Sequence, residues 1–191
     1  TVFTFEPHPA WLLRPDKAPA PLTWVQRKAE LLGLLGVDVV VAFPTTREFL
    51  SLSPEEYFQQ IIRDRLRARA VVEGPNFFFG KGRAGNVEVL RELCQAENIH
   101  CEIVHPLLSG AELVSSSRIR QAISEGDVGH ANEMLTQPYR IRGTVSHGAG
   151  RGGTIGFPTA NLADVDTLLP GPGVYAGRSL VRSQSYLAAI N

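Results

Sequence analysis

Three serines followed by arginine form one candidate phosphate-binding cluster in this chain. Ser115, Ser116 and Ser117 precede Arg118, and helix-forming residues follow. Hydroxyls at a helix start cap its free N–H groups, and the same N-terminus with a bidentate arginine binds anions such as phosphate. The alternative is ordinary helix capping with solvated arginines.

A glycine-rich stretch between His147 and Asn161 is the second candidate. Its glycines, Gly148 and Gly156 among them, would let the backbone approach a phosphate closely. Thr159 and Asn161 add two neutral oxygen ligands suited to a hard cation such as Mg²⁺. The spacing is neither that of the P-loop nor that of the dinucleotide fingerprint, and the alternative is a glycine-rich barrel hairpin.

Two segments placed directly after predicted strands could present a flat wall to a planar ligand. The first is the rigid loop Phe5-Glu6-Pro7-His8-Pro9, and ligands of open α/β sheets bind at such strand ends. The alternative for this loop is a stiff turn without a ligand.

The second segment is residues 74–83, which contains Asn76 and three adjacent phenylalanines. Neighbouring side chains of an extended chain point to opposite sides, so Phe77, Phe78 and Phe79 cannot all face a core. One or two of them are therefore available to a ligand, and the alternative is a hydrophobic cluster under a glycine loop.

The remaining arginines, histidines and cysteines lack a spacing that indicates a binding or catalytic site. The arginines at 63, 65, 67 and 69 spread around a helix and are interpreted as solvated surface. His100, His105 and His130 lack metal-ligand spacing, and no nucleophile elbow supports Ser/His/Asp catalysis. Cys94 and Cys101 lie seven apart, which is not a zinc or redox spacing and indicates a reducing compartment.

Up to residue 137, short β-branched runs alternate with helical segments. Strands are predicted at Thr1–Phe5, Val37–Phe43, Ala70–Val72 and Cys101–Val104. Helices are predicted after Thr23 and after Ser53, each from a capping box, and over Val87–Ala96, with Gly36 ending the first. Val25, Ala29, Leu32 and Leu35 are expected on one face of that first helix. Tyr57, Phe58, Ile61, Ile62 and Leu66 supply the apolar stripe of the second. Alternation of this kind predicts a parallel sheet with crossover helices.

From Pro138 the pattern becomes all-β, with even apolar spacing and frequent glycines. Further short strands are predicted at Val174–Ala176 and Tyr186–Ile190, after a turn at 170–173. We therefore expect two domains, 1–137 and 138–191. The second has only about 54 residues, so it is expected to be the start of a barrel or sandwich. The chain opens on a strand without Met, so residues are also expected upstream of Thr1.

Composition narrows the class of protein further. The chain has 191 residues, 43% of them hydrophobic, and its 19 basic residues balance 19 acidic ones. Zero net charge argues against nucleic acid or an anionic membrane as a partner. The longest apolar runs fall far short of the roughly 20 residues that a membrane helix needs.

The order of these clusters resembles one family, the bacterial bifunctional riboflavin kinase/FMN adenylyltransferases, also called FAD synthetases. The resemblance runs over nearly the whole chain. It rests on the following segments: Phe-x-Pro-His-Pro at 5–9, Leu-Gly-Val-Asp at 35–38, Asn-Phe-x-Phe-Gly-x-x-Arg-x-Gly at 76–85, Ser-Ser-Ser-Arg-Ile-Arg at 115–120 and Gly-Phe-Pro-Thr-Ala-Asn at 156–161.

The resemblance implies a Rossmann-like nucleotidyltransferase domain of α/β class, followed by an incomplete antiparallel riboflavin kinase β-barrel. The first would join FMN to the AMP part of ATP, and the second would phosphorylate riboflavin.

The resemblance also implies which residues form the binding sites. Flavin would contact Phe5, Pro7, His8, Pro9, Asn76, Phe77 and Phe79. ATP phosphates would contact Ser115, Ser116, Ser117, Arg118, Gly148 and Gly156, with Arg118 and Ser116 catalytic, and Mg²⁺ would contact Thr159 and Asn161.

The chain also departs from the family pattern. The family's early Gly-x-Phe-Asp-Gly-x-His-x-Gly-His segment would precede Thr1, and its late Asn-x-Gly-x-Arg-Pro-Thr-Phe segment and glutamate would follow Asn191. Ser117 stands where Thr is more frequent, and Phe78 where a polar or basic residue is common. This span is thus expected to lack part of both active sites of a longer enzyme.

From the resemblance we expect a cytoplasmic enzyme, a monomer or weak oligomer, with small-molecule substrates and no nucleic-acid or membrane partner. The alternatives are a catalytically silent protein of the same fold that binds flavin or nucleotide, and a nucleic-acid-binding protein using the arginines at 63–69. Zero net charge argues against the latter.

Overall fold

The computed structural model describes residues 1–148 and 159–191, and the chain passes more than once between two units. The first unit comprises Thr1–Pro19 and Ala29–Leu113, and the second comprises Ala20–Lys28 and Val114–Asn191. The predicted domain boundary between residues 137 and 138 stays a prediction. No helix in the described ranges is long and apolar enough to cross a membrane.

Parallel strand pairs form the β-structure that positions the first unit's loops. Strand β1 (Val2–Glu6) pairs in parallel with β2 (Val40–Pro44), and β3 (Ala70–Glu73) pairs in parallel with β4 (His100–Ile103). A short hairpin, β5 (Leu108–Ser109) and β6 (Glu112–Leu113), closes this unit. Parallel strands joined through helices confirm the predicted mixed α/β character.

Helices occupy most of the connections in the first part of the chain. They are α1 (Pro9–Leu13), α2 (Val25–Gly33), α3 (Arg47–Leu50), α4 (Pro54–Tyr57), a π-helix (Phe58–Arg65) and α5 (Val87–Ala96), with 3₁₀ turns at Pro15–Lys17 and Lys81–Arg83. The prediction for Val87–Ala96 is confirmed at both ends.

Local capping explains where two of these helices begin or end. The Ser53 hydroxyl accepts the Glu56 N–H at 3.1 Å, and the Glu56 carboxylate accepts the Ser53 N–H at 2.7 Å, which confirms the predicted capping box. Gly36, at φ +85°, ends the segment after α2, where the Gly36 N–H bonds Gly33 and the Val37 N–H bonds Leu32. These two bonds form a Schellman motif, as the glycine predicted.

The predictions around α2 are wrong in three places. The Thr23 hydroxyl has no hydrogen-bond partner within residues 1–148 and 159–191, because the helix begins at Val25 and Thr23 lies one residue too early to cap it. Leu35 lies beyond the helix end, with 68% of its surface exposed, so it is not on a buried face. The following strand begins at Val40 rather than Val37, and it is only partly buried.

The core of the first unit lies around the helical segment 54–65 and α5. Phe58, Leu90 and Cys94 are almost completely buried there, at 1%, 0% and 0% exposure. Phe3, Phe43, Val71 and Cys101, one from each parallel strand, pack against this core. Tyr57, Phe58, Ile61 and Ile62 are buried and Leu66 packs against them, which confirms the predicted apolar stripe.

The second unit contains two helices and two antiparallel strand pairs. Helices α6 (Ser116–Ser124) and α7 (Val128–Glu133) bury Ile119, Ala122, Ile123, Ala131 and Met134 between them. Strand β7 (Thr144–Ser146) pairs with β8 (Asn161–Ala163), and β9 (Tyr175–Val181) pairs with β10 (Gln184–Ile190). The antiparallel strands follow the prediction, but the pairs seen in the described ranges do not close a barrel.

Candidate functional site

An open pocket of about 400 Å³ lies in the first unit, at the carboxyl ends of the neighbouring parallel strands β3 and β4. It is lined by residues 73–77, which end β3 and follow it, and by residues 104–106, which follow β4. The Val104 N–H donates to the Glu73 carbonyl at 2.9 Å and extends the strand pairing to the pocket's floor. Ligands of open parallel sheets bind at this edge.

The pocket combines flat apolar surface with a few polar groups. Phe77 and Pro106 are among its apolar lining residues, while the lining residues Glu73, Asn76 and His105 carry a carboxylate, an amide and an imidazole. This pattern is typical of small-molecule sites, in which a few polar groups fix the orientation of a largely apolar ligand. Asn76 and Phe77 are predicted site residues that the structure brings together here.

Glu73 is half-buried, and burial raises the pKa of its carboxyl while a hydrogen bond from the Gly74 backbone opposes the rise. Tyr57 is buried near this carboxylate. Burial raises the pKa of the phenol well above its ordinary value, and the negative charge of Glu73 raises it further. Tyr57 therefore stays protonated.

A continuous series of aromatic rings links the two segments predicted to form a flat wall. It runs from Phe5 at the end of β1 through three intermediate rings to Phe77 in the pocket. Neighbouring centroids lie 5.4 Å apart for Phe5–Phe49, 5.7 Å for Phe49–Tyr57, 5.4 Å for Tyr57–Phe79 and 5.4 Å for Phe79–Phe77. These spacings are within the range of favourable aromatic pairs, so we expect the rings to hold one another in place.

The three phenylalanines of the 74–83 segment are separated as the extended chain predicts. Phe79 is 5% exposed and belongs to the core, Phe77 is partly buried and lines the pocket, and Phe78 is 44% exposed under the Arg83 guanidinium. Phe77 and Phe79 stack at an interplanar angle of 17°. Phe79 thus lies behind the pocket wall that Phe77 provides.

The loop after β1 is held by hydrogen bonds of its own. The buried Thr45 donates its hydroxyl to the Pro7 carbonyl at 2.5 Å. Nδ1 of His8 accepts the Ala10 N–H at 3.1 Å and caps α1, which begins at Pro9. Pro7 and His8 are exposed and Pro9 is partly buried, and none of the three lines the pocket.

The predicted phosphate-binding cluster lies at the start of α6 in the second unit. The Ser115 hydroxyl caps the helix by accepting the Arg118 N–H at 3.3 Å, while Ser116 and Ser117 are exposed in the first turn. The Arg118 guanidinium lies beside His130 of α7. This places three hydroxyls and one guanidinium at one helix N-terminus, where an anion is favoured.

The next arginine, Arg120, serves the structure of this unit. Its Nε donates to the Ala20 carbonyl at 2.8 Å, and burial lowers the pKa of its guanidinium.

Asn161 lies opposite Ser146 in the β7–β8 pair, and its amide packs directly over Gly148. A Cβ at Gly148 would come within 2.0 Å of Asn161 Nδ2, so a side chain there would displace the Asn161 amide. Thr159 is exposed two residues earlier. Gly156, another predicted phosphate contact, lies outside the described residues.

The side-chain oxygens of Thr159 and Asn161 are of the chemical type that a hard cation binds. Thr159 and Asn161 offer neutral oxygens, and the described ranges contain no group of three or more His, Cys, Asp or Glu side chains that could hold a metal ion. Mg²⁺ commonly binds through few protein oxygens, together with phosphates and water.

Sequence reasoning missed several of these residues. Glu73 and His105 line the pocket and His130 contacts Arg118. Glu73 ends a β-branched run, where a carboxylate is typical of a solvated strand end, and His105 and His130 lack the spacing of metal ligands. Cys94 and Cys101 are free thiols, and burial, aided by Cys101, raises the pKa of Cys94 to about 12 and leaves it unreactive.

Comparison with protein families gives two matches in succession along the chain. A family model described as FAD synthetase matches residues 1–118, and one described as riboflavin kinase matches residues 135–191. The first covers the pocket and the predicted phosphate-binding serines.

Curated relatives named bifunctional riboflavin kinase/FMN adenylyltransferase match over most of this chain. The Bacillus subtilis (strain 168) protein is 37% identical over 100% of the chain and 60% of its own length. The Listeria monocytogenes protein is 36% identical over 97% of this chain and 59% of its own length. The Escherichia coli (strain K12) protein is 34% identical over 92% of this chain and 56% of its own length. The chain thus spans less than two thirds of the length of these relatives.

A similar solved structure is a crystal structure from Streptococcus pneumoniae described as a macrolide-efflux protein. It has a TM-score of 0.83 and 31% identity, over 98% of this chain and 61% of that one. The efflux description belongs to that protein, whereas both matching family models describe enzymes of flavin metabolism.

Proposed function

Because this chain belongs to the FAD synthetase family, we propose that it catalyses the two ATP-dependent steps that convert riboflavin to FAD. Residues 1–137 would transfer AMP from ATP to FMN with release of pyrophosphate, and residues 138–191 would contribute to riboflavin phosphorylation. The observation that carries the proposal is the pocket at the carboxyl ends of β3 and β4, which lies within the FAD synthetase match and contains Asn76 and Phe77.

The flavin would bind with its ring system against Phe77. The ring series supports this wall, because Phe79 backs Phe77 and the same series reaches Phe5 beside the Pro7-His8-Pro9 loop. A backed aromatic wall is pre-organised, so little side-chain entropy is lost on stacking. Asn76 would orient the ligand through its amide.

Adenylyl transfer joins an FMN phosphate oxygen to the α-phosphorus of ATP, and the bond from that phosphorus to the bridging oxygen breaks as pyrophosphate leaves. This step needs in-line positioning and neutralisation of phosphate charge more than covalent help from protein. Ser115, Ser116 and Ser117 would donate hydroxyl hydrogen bonds to the phosphates. Arg118 would bind the charge that develops on the leaving group, and with Ser116 it would contact the reacting phosphates.

In the kinase step, the terminal ribityl hydroxyl of riboflavin attacks the γ-phosphorus of ATP and loses its proton, and ADP leaves. Thr159 and Asn161 would hold Mg²⁺ through their oxygens. The bound ion would neutralise phosphate charge during transfer. Gly148 permits Asn161 to lie close to the backbone, and Gly156 remains a predicted phosphate contact.

The proposed reactions also define the substrates and the product. Substrates are the small molecules riboflavin, FMN and ATP, and FAD is the product. A cytoplasmic location, the absence of nucleic-acid and membrane partners, and a monomeric or weakly associated state stay predictions.

The test is product analysis. The protein is incubated with riboflavin, ATP and MgCl₂, and the flavins are separated by chromatography, with a parallel reaction started from FMN. Formation of FMN and then FAD establishes both steps. FMN without FAD would indicate a silent adenylyltransferase domain, and flavin binding with neither product would favour the silent binding protein.

A further inference from the structure

Glu73 stands out in the pocket because its carboxylate has no charged partner in the described part of the chain. It is the last residue of β3, half-buried, and among neighbours such as Pro75, Phe77 and Pro106 that offer no charge. Its hydrogen bond comes from the Gly74 backbone, and no cation among the described residues pairs with it. Burying a carboxylate is costly unless it is hydrogen-bonded, so such a group in a ligand pocket points to a donor on the ligand.

Two other polar residues line the pocket with Glu73 and supply hydrogen-bond donors. Asn76 carries an amide with two N–H donors, and the His105 imidazole carries a ring N–H, while Glu73 only accepts when ionised. The pocket therefore provides one strong acceptor together with two donors. A ligand that complements these groups offers one N–H donor and two acceptors, as an imide does.

The geometry points to Glu73 as a specificity-determining residue, whose carboxylate accepts the imide N–H (N3) of the flavin ring while that ring lies against Phe77. This assignment rests on the proposed function, since it takes flavin as the occupant of the pocket. The isoalloxazine ring carries N3–H between two carbonyl groups, so Asn76 and His105 would serve the carbonyls. A volume of about 400 Å³ suits a ring system rather than a whole dinucleotide.

The charge of Glu73 also sets the direction in which the flavin enters. A carboxylate repels phosphate at short range, so the phosphate end of FMN would lie away from Glu73. Adenine fits the same groups less well, because its amino edge presents one donor beside one acceptor and leaves one pocket donor without a partner.

The experiment measures binding at this pocket alone, through the NMR signal of the His105 ring. The signal is assigned with His105→Gln and followed while lumiflavin, 3-methyllumiflavin or adenosine is added to the intact protein. 3-Methyllumiflavin carries a methyl group at N3 in place of the hydrogen, which removes the N3 hydrogen-bond donor. Wild type, Glu73→Gln and Glu73→Ala are compared, with Glu102→Gln as the matched control, because Glu102 is an exposed carboxylate on β4 outside the pocket.

We expect wild type and Glu102→Gln to bind lumiflavin about 10-fold or more tighter than 3-methyllumiflavin, the effect of one hydrogen bond to a charged group. Glu73→Ala should reduce that ratio to near one. Glu73→Gln, which keeps an acceptor oxygen, should retain part of it. Circular dichroism and the thermal midpoint of each variant show whether the fold is intact.

Equal affinities of wild type for the two flavins would overturn the role of Glu73 and leave the proposed function standing on its product analysis. The same holds if Glu73→Ala keeps the discrimination. A His105 response to adenosine, or no response to any flavin, would overturn both this assignment and the placement of flavin in the pocket. FAD formation in the separate assay would then show that the activity uses another flavin site.

Discussion

Nη2 of Arg118 lies 3.4 Å from Nε2 of His130, and Nδ1 of the same imidazole lies 3.2 Å from Oε2 of Glu133. A guanidinium can only donate hydrogen bonds, so Nε2 must accept and Nδ1 must carry the hydrogen that is donated to Glu133. The imidazole is thus held in one tautomer between an arginine and a carboxylate. This arrangement links a predicted phosphate-binding residue at the start of α6 to two residues of α7.

Arg118→Ala is expected to lower FAD formation from FMN and ATP by about 10²- to 10³-fold, the usual effect of removing one donor that stabilises transition-state charge. FMN formation from riboflavin should be unchanged. Both rates are measured by chromatography, with Arg91→Ala on the exposed side of α5 as the control. Equal loss of the two activities would contradict the assignment of Arg118 to adenylyl transfer.

His130→Ala is expected to weaken adenylyl transfer by less than Arg118→Ala, because the guanidinium remains but loses the His130 imidazole as one of its contacts. His130→Gln, whose amide oxygen can accept from Arg118, should recover part of the rate. Steady-state kinetics with varied ATP distinguish this from a loss of stability, since unfolding lowers the apparent kcat and leaves KM unchanged, whereas a misplaced Arg118 changes the KM for ATP. Identical rates for the alanine and glutamine variants would argue against a positioning role.

Gly148→Ala and Asn161→Ala are expected to lower riboflavin phosphorylation by similar factors, about 10- to 100-fold, and to leave adenylyl transfer intact. The reason is that a Cβ at Gly148 would displace the Asn161 amide. The double variant should be little worse than either single variant, because both remove the same arrangement. Gly129→Ala is the control, since its Cβ would meet only Asp127 Oδ1 at 3.5 Å. Additive losses would show that the two residues act separately.

Phe79→Ala is expected to lower the free energy of unfolding by about 3–5 kcal/mol, the usual cost of truncating a buried phenylalanine. The adjacent Phe78→Ala, at a 44% exposed position, should cost far less. Urea denaturation followed by circular dichroism gives both values. Similar losses would mean that the two rings are equally important to the core, contrary to their burial.

Glu73→Gln is expected to stabilise the fold at neutral pH. Burial raises the pKa of Glu73 in the folded state, so the stability associated with its neutral form is lost as pH rises through that pKa. The variant should therefore melt at a higher temperature than wild type at pH 7, and the difference should shrink as pH falls towards 4. Glu102→Gln should show no such trend. A variant that is less stable than wild type at pH 7 would indicate an ionic partner for Glu73.

Features set by neighbouring residues were predictable from the sequence. The capping box at Ser53, the glycine that ends the segment after α2, and the helix over Val87–Ala96 each depend on a few adjacent side chains. The separation of Phe77, Phe78 and Phe79 follows from the alternation of an extended chain. Thr23 failed as a cap because the register of a helix start, one residue later here, depends on packing as well as on residue type.

Features set by distant residues or by unusual backbone geometry were not predictable. Residues 58–65 have a regular apolar stripe, yet they form a π-helix in which the Leu66 N–H bonds the Ile61 carbonyl. The β9–β10 hairpin turns at Arg182 and Ser183, both at positive φ, without the Asn or Gly that signals such a turn. The pocket itself depends on β3 and β4 being neighbours, a pairing between segments about 30 residues apart.

The assignment of residues 20–28 to the second unit limits how this protein can be divided for study or engineering. In that unit the Ala20 carbonyl accepts from Arg120, the Pro21 carbonyl accepts from the Leu168 N–H, and Leu22 packs against the core of α6 and α7. A fragment beginning at Val114 would lose all three, and a fragment ending at Leu113 would carry a segment without its packing partners. The two units therefore cannot be separated by one cut in the sequence, and a chimera that exchanges the second unit must also exchange residues 20–28.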